Sequence, residues 1–151
     1  SVACNGSKAV HMGGYHSHKT LLYVDIATTG NSQYFGELTN GRHMSSAFND
    51  RTYGVCWQGW NGSSVLQPNE YITIATAGNA LSFANASGAR AGGGSCSNET
   101  RGFYKFGYAA GWGAIVSNIE YVTINNPSQN AINFGNLTGG RTTVHGTSGN
   151  P

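Results

Sequence analysis

The side chains able to do acid–base or metal chemistry are few and dispersed. Asp25, Glu37, Asp50, Glu70, Glu99 and Glu120 are the full set of carboxylates. A glycosidase needs two of them facing one bond. Glu70 and Glu120 each precede a Tyr, and Asp50 and Glu99 each sit in an Asn-led turn. These four therefore read as repeat-equivalent structural acids rather than a catalytic pair. His16 and His18 form a His-Ser-His step that offers two ligands with no third nearby, whereas a structural zinc takes four. His11, His43 and His145 fall in strand-like stretches and read as packed or hydrogen-bonded. Cys4, Cys56 and Cys96 are an odd count without a Cys-x-x-Cys step, so neither a disulfide framework nor a zinc site is indicated. Cys4 and Cys96 fall at one repeat position that Phe48 fills in the remaining copy, which reads as apolar packing. No Gly-x-Ser-x-Gly elbow is present, and Ala91-Gly92-Gly93-Gly94 opens a strand rather than a helix. The expectation is a chain that is not an enzyme and carries no metal and no cofactor.

Two other sets recur. Arg42, Arg90 and Arg141 stand once per repeat. They form either a ring of anion-binding guanidiniums or a set of donors to neighbouring backbone carbonyls, and repetition favours the second. Tyr15, Trp60, Tyr108 and Trp112 sit at or beyond strand ends, beside loops that vary between copies. Among Asn, Ser and Gly they could stack on sugar rings; the first three could equally pack between repeats. Trp112, between Gly111 and Gly113, is the best candidate for an exposed ring.

The elements that must position these residues come from one phrase. Tyr71-Ile72-Thr73-Ile74-Ala75-Thr76-Ala77-Gly78-Asn79 is echoed from Tyr23 and, in worn form, from Tyr121, so the three Tyr lie 48 and 50 residues apart. A fixed period of this size marks a solenoid, array or propeller. Alternation puts Ile72 and Ile74 on one face and Tyr71 and Thr73 on the other. Each copy continues with a Phe (Phe35, Phe83, Phe134), which the repeat predicts to be buried, and then an Arg that opens another strand. About four short strands fit each period, and no stretch reads as helix. The expectation is an all-β fold of three four-stranded repeats of about 48–51 residues, with blades at 41–88 and 89–140 and a third split between 1–40 and 141–151. In that reading residues 141–150 supply the first strand of the split blade and the N-terminus its second strand onward. Because propellers typically have 4–8 blades, one blade would be completed by both termini or by a neighbouring chain. Two chains in one ring, chains joined head to tail, or a longer array would each answer the shortfall.

Composition narrows the class further. Charged residues are 9% of the chain, against roughly 25% in an average soluble protein. Aromatic residues reach 11% and there are 23 Gly, a balance suited to a sheet-rich core with a polar, uncharged surface. A net charge of +2 without a Lys/Arg cluster gives no footprint for nucleic acid. No apolar run approaches the roughly 18 residues of a membrane span.

The order Arg-opened strand, turn, strand ending Gly13-Gly14-Tyr15, loop, Tyr-Val-x-Ile strand and closing aromatic resembles the kelch repeat. The phrases Tyr71-Ile72-Thr73-Ile74-Ala75-Thr76, Phe35-Gly36-Glu37-Leu38-Thr39 and Ser97-Asn98-Glu99-Thr100-Arg101-Gly102 are similar to a kelch-like repeat of virion structural proteins in tailed phages, especially marine and cyanobacterial ones. The resemblance spans the chain. It departs at Gln58-Gly59 and Phe106-Gly107, which replace the double Gly, and at Asn126-Pro127. It implies a non-enzymatic structural or decoration protein, virion-borne or extracellular, that associates with itself or with other virion proteins. The alternative is a lectin-like module that takes host-surface glycans on Tyr15, Trp60, Tyr108 and Trp112.

Overall fold

The computed structural model describes residues 1–105, 107–109, 113–142 and 146. Fourteen strands form four antiparallel sheets, and no helix occurs among the described residues. The first sheet runs in chain order through β1 (Val2–Cys4), β2 (Lys8–Met12), β3 (Thr20–Asp25) and β4 (Gln33–Glu37). The second repeats it with β5 (Ser46–Asn49), β6 (Tyr53–Trp57), β7 (Asn69–Thr73) and β8 (Leu81–Phe83). The third uses β10 (Gly94–Ser97), β11 (Arg101–Lys105), β13 (Asn118–Thr123) and β14 (Ile132–Asn136). A two-stranded ribbon pairs β9 (Arg90–Ala91) with β12 (Tyr108–Ala109).

Short polar turns explain why each sheet is a meander. In the β1–β2, β5–β6 and β10–β11 turns, one Asx side chain accepts two backbone N–H groups. Asn5 Oδ1 takes Ser7 N and Lys8 N, Asp50 Oδ1 takes Thr52 N and Tyr53 N, and Asn98 Oδ1 takes Thr100 N and Arg101 N. Such Asx turns fix the hairpin register locally. They also correct the repeat alignment. Asn98, not Glu99, is the counterpart of Asp50. Cys4 pairs with Ala9 as Asn49 pairs with Gly54, whereas Cys96 pairs with Phe103 as Phe48 pairs with Val55. Ala3, and not Cys4, is therefore the counterpart of Phe48 and Cys96. The one-residue slip puts Cys4 and Cys96 on opposite faces of their strands.

A second correction concerns the N-terminal segment. Val2–Cys4 itself forms the first strand of the first sheet, the place assigned by sequence to residues 141–150. Of those, the described ones are 141, 142 and 146.

The sheets pack face to face in chain order. Val10, Met12, Phe35 and Leu38 of the first repeat meet Cys56, Ile72 and Ile74 of the second. Phe48, Val55, Trp57 and Phe83 of the second repeat meet Tyr104, Val122 and Ile124 of the third. Each strand thus sends alternate residues to opposite junctions, as period-2 geometry requires. Glycines set the closeness of approach: a Cβ on Gly102 would lie 2.1 Å from the Phe48 ring, and one on Gly36 would lie 2.0 Å from the Gly78 carbonyl oxygen.

The repeat Phe does not behave uniformly. Phe35 and Phe83 are 2% and 3% exposed, but Phe134 is 57% exposed. The expectation that all three are buried fails at Phe134 because no described sheet follows the third. Its ring stacks edge-on against Phe103 at 5.1 Å and Tyr121 at 6.2 Å within its own sheet.

Candidate binding surface

Two of the recurring Arg residues, Arg42 and Arg90, lie inside the molecule. Arg42 is fully buried and pairs with Glu70, while its Nη1 donates to the Gln58 and Pro68 carbonyls at 3.2 and 2.9 Å. Arg90 repeats the arrangement with Glu120 at 3.1 Å. These guanidiniums neutralise a carboxylate from β7 or β13 and are closed to any external anion. Arg141 has an exposed surface, and its carbonyl accepts Gly107 N at 3.2 Å. That contact repeats Gly14 N on the Arg42 carbonyl and Gly59 N on the Arg90 carbonyl, at 2.9 and 3.1 Å.

The same carboxylates reach across the junctions. Glu70 Oε1 accepts Thr39 N at 2.6 Å from the first repeat, and Glu120 accepts both the backbone N–H and the hydroxyl of Ser87 from the second. A further pair of locks was not foreseen from sequence. Asn79 Oδ1 accepts Glu37 N at 3.0 Å while Ala80 N donates to the Glu37 carbonyl at 2.9 Å. Asn130 Oδ1 accepts Asn85 N at 3.1 Å while Ala131 N donates to the Asn85 carbonyl at 2.9 Å. The signal was an Asn two residues before the fourth strand in each copy: Asn31, Asn79 and Asn130. The Arg–Glu pairing was not foreseen either, although Glu70 and Glu120 follow Arg42 and Arg90 at similar spacings.

Of the aromatic candidates, Tyr15 and Trp60 come together around His43. The chain leaves β2 through Gly13, whose φ of 70° no side chain would favour, since a Cβ there would lie 2.4 Å from the Arg42 carbonyl oxygen. His16 and Ser17 follow in left-handed conformation, with Ser17 N on the Gly14 carbonyl at 3.0 Å. This turn lifts Tyr15 out to 76% exposure. Its ring lies edge-on to His16 at 4.4 Å and to His43 at 5.9 Å. Ser17 Oγ lies 3.0 Å from His43 Nδ1. His43 and Trp60 exchange backbone bonds at 2.9 and 2.8 Å. The loop beyond Trp60 is held by Asn61 Oδ1, which accepts Ser63 N and Ser64 N. Tyr108 stands at the corresponding place one repeat on, paired with Ala91, and accepts a 3.5 Å bond from Thr142 Oγ1. Trp112 lies outside the described residues.

Two further acids serve the fold. Asp50 caps a turn, and Glu99 pairs with Arg51 at 3.1 Å on the surface. Among the described residues no group of three or more His, Cys, Asp or Glu is placed to hold a metal, and no helix is long and apolar enough to cross a membrane. An open groove of about 340 Å³ is lined by the first strands of the sheets and the segments before them, including Ser46, Gly93 and Ser95. Two of its hydroxyls are directed at backbone: Ser46 to the Gly93 carbonyl and Ser95 to the Ala47 carbonyl, both at 2.6 Å. Burial pushes the Tyr104 hydroxyl well above its usual pKa, with Arg90 opposing and Glu120 adding to the shift. Its ring serves the second core.

No protein-family model matches the chain, and no curated protein matches it.

Proposed function

We propose that the chain is a non-enzymatic structural or decoration protein of a tailed-phage particle, its three large sheets being blades of a kelch-like β-propeller array. The observation that carries this reading is the assignment of its buried charges to the stack. Arg42, Glu70, Arg90 and Glu120 form the buried ion pairs, and both carboxylates also bind the preceding repeat. Chemistry that an enzyme would turn toward a cleft is here turned toward the neighbouring sheet. The phage assignment itself rests on the sequence resemblance to kelch-like virion repeats. An antibody against the chain should label intact phage particles recovered from the bacterium that harbours the gene. Label confined to the particle-free fraction contradicts the virion role.

A second reading is favoured by one observation, the exposed Tyr15 ring beside His43, whose backbone pairs with Trp60. A ring held in that attitude by a rigid turn offers a stacking platform for a sugar. A glycan array tests it: binding that is lost in both Tyr15→Ala and Trp60→Ala would make the chain a host-glycan receptor module, and absence of binding leaves the structural role alone.

A further inference from the structure

Three Asn-Gly steps occur in the chain: Asn5-Gly6, Asn40-Gly41 and Asn61-Gly62. Such a step can cyclise, because glycine has no side chain to hinder its own backbone nitrogen from reaching the Asn side-chain carbonyl carbon. The fold holds two of the three shut. Asn5 Oδ1 accepts Ser7 N and Lys8 N at 3.0 and 2.8 Å, and the Asn5 backbone N–H donates to the Lys8 carbonyl at 3.2 Å. The Gly6 N–H is also engaged, by Cys4 Sγ at 3.3 Å. Asn61 Oδ1 accepts Ser63 N and Ser64 N at 2.9 and 2.7 Å, and the Asn61 N–H donates to the Ser64 carbonyl at 3.1 Å. Turning either carboxamide toward the following nitrogen breaks the bonds that close its Asx turn.

Asn40 is not so held. It is exposed, and among the described residues neither its carboxamide nor the Gly41 N–H makes a hydrogen bond. Arg42 Nε lies 3.4 Å from the Asn40 carbonyl oxygen. A cation there draws electron density from the Asn40–Gly41 peptide and favours loss of its N–H proton. The fold does not ask for this pair of residues: Gly88-Ala89 and Gly139-Gly140 precede Arg90 and Arg141 in the other repeats.

We propose that Asn40 is a site of spontaneous deamidation, and that its isoaspartyl product loosens the turn bearing Tyr15. The Gly41 nitrogen gives its proton to hydroxide and bonds to Asn40 Cγ. The carboxamide C–N bond breaks, and ammonia leaves with a proton taken from water, which restores the hydroxide. The succinimide so formed takes up one water. Opening at the side-chain carbonyl leaves an aspartyl linkage; opening at the main-chain carbonyl leaves an isoaspartyl linkage, whose main chain is one carbon longer. That carbon has nowhere to go. Leu38 N donates to the Lys19 carbonyl at 2.8 Å, Arg42 N to the His18 carbonyl at 3.3 Å, and Gly14 N to the Arg42 carbonyl at 2.9 Å. Gly41 lies so close to Ser17 that a Cβ on it would be 1.7 Å from the Ser17 carbonyl oxygen. Residues 38–42 thus clamp the turn that lifts Tyr15 out, and lengthening them breaks the Arg42–His18 bond or the Gly14–Arg42 bond. The proposal goes beyond both functional readings above and rests on neither.

Peptide mapping by mass spectrometry tests the site in the full chain, aged at mildly alkaline pH. The Asn40 peptide should gain one mass unit and become a substrate for isoaspartyl methyltransferase. It should do so about tenfold faster than Asn5 or Asn61, the worth of the bonds that each of those must break. In urea the three steps should convert together. Asn40→Gly, which copies the second repeat, should keep the wild-type far-UV circular dichroism and form no isoaspartate at this position. Hydrogen exchange at the Gly14 and Arg42 amides should quicken in the isoaspartyl fraction but not in Asn40→Asp, which adds the charge without the extra carbon. An Asn40 that stays an amide in the folded chain while converting in urea overturns the site. So does conversion of Asn5 or Asn61 at the same pace in the folded chain. Unchanged exchange at both amides in the isoaspartyl fraction, or equal quickening in Asn40→Asp, overturns the loosening.

Discussion

Arg42 and Glu70 each hold several groups of the fold in place. Both are buried, and each satisfies backbone groups as well as the other's charge. Removing one partner leaves a buried charge uncompensated, which costs about 3–5 kcal/mol. Arg42→Ala or Glu70→Ala should therefore lower the unfolding free energy in urea by about that amount. The exposed Arg51–Glu99 pair, also an ion pair by geometry, should cost less than about 1 kcal/mol when Arg51 is truncated. Similar chemistry thus yields different energies because solvent screens only one pair. Tyr104 adds a pH dependence. Its folded-state pKa is raised by burial, so the stability it contributes is full below the ordinary tyrosine value of about 10 and is lost as pH rises beyond it. Tyr104→Phe should leave neutral-pH stability nearly intact and make the alkaline fall in Tm shallower. An unchanged alkaline limb would show that other groups govern it. Arg42 and Arg90 were legible as structural from their repetition; their carboxylate partners were not paired with them in advance, because the two members lie on different strands.

At the scale of elements, the hydrophobic alternation and the turn residues gave the strands and their order. The Tyr-Val/Ile-x-Ile phrase is a strand in all three repeats, with Ile72 and Ile74 on one face as alternation requires. The register of the first strands differs from the expectation by one residue, because the Asx turns align Ala3, and not Cys4, with Cys96. Glycine sets the distance between sheets, and the cost of losing it depends on what it faces. Gly102→Ala meets the Phe48 ring, a side chain that can be trimmed, whereas Gly36→Ala meets the Gly78 backbone. Gly102→Ala with Phe48→Leu should therefore be less destabilised than the two single changes added together, a coupling of about 0.5–3 kcal/mol. No side-chain trim at the facing strand should rescue Gly36→Ala. Additive losses for the first pair would mean that the sheets lie farther apart than described.

At the scale of the whole molecule, Phe83 and Phe134 separate what repetition can say from what only packing can. Both occupy one repeat position, and a period cannot distinguish a middle copy from an end copy. Phe83→Ala should cost about 3–5 kcal/mol as a large-to-small core change. Phe134→Ala should cost under about 1 kcal/mol in dilute solution, where its ring is on the surface. The same blindness applies to Val24 and Ile26, which share repeat positions with the buried Ile72 and Ile74 yet are 39% and 50% exposed. It also left the aromatic corner half visible: exposure at Tyr15 follows from a left-handed turn at His16 and Ser17 that composition does not encode. One clasp, Asn Oδ1 on a backbone N–H and a neighbouring N–H on the same residue's carbonyl, joins the first repeat to the second and the second to the third, and among the described residues none clasps Asn136. Residue-resolved hydrogen exchange reads that clasp directly. In dilute, monomeric protein the amides of Glu37, Ala80, Asn85 and Ala131 should exchange slowly while those of Ser32 and Asn136 exchange freely. Equal protection at Ser32 and Ala80 in the monomer, or free exchange at Glu37 and Asn85, would contradict it.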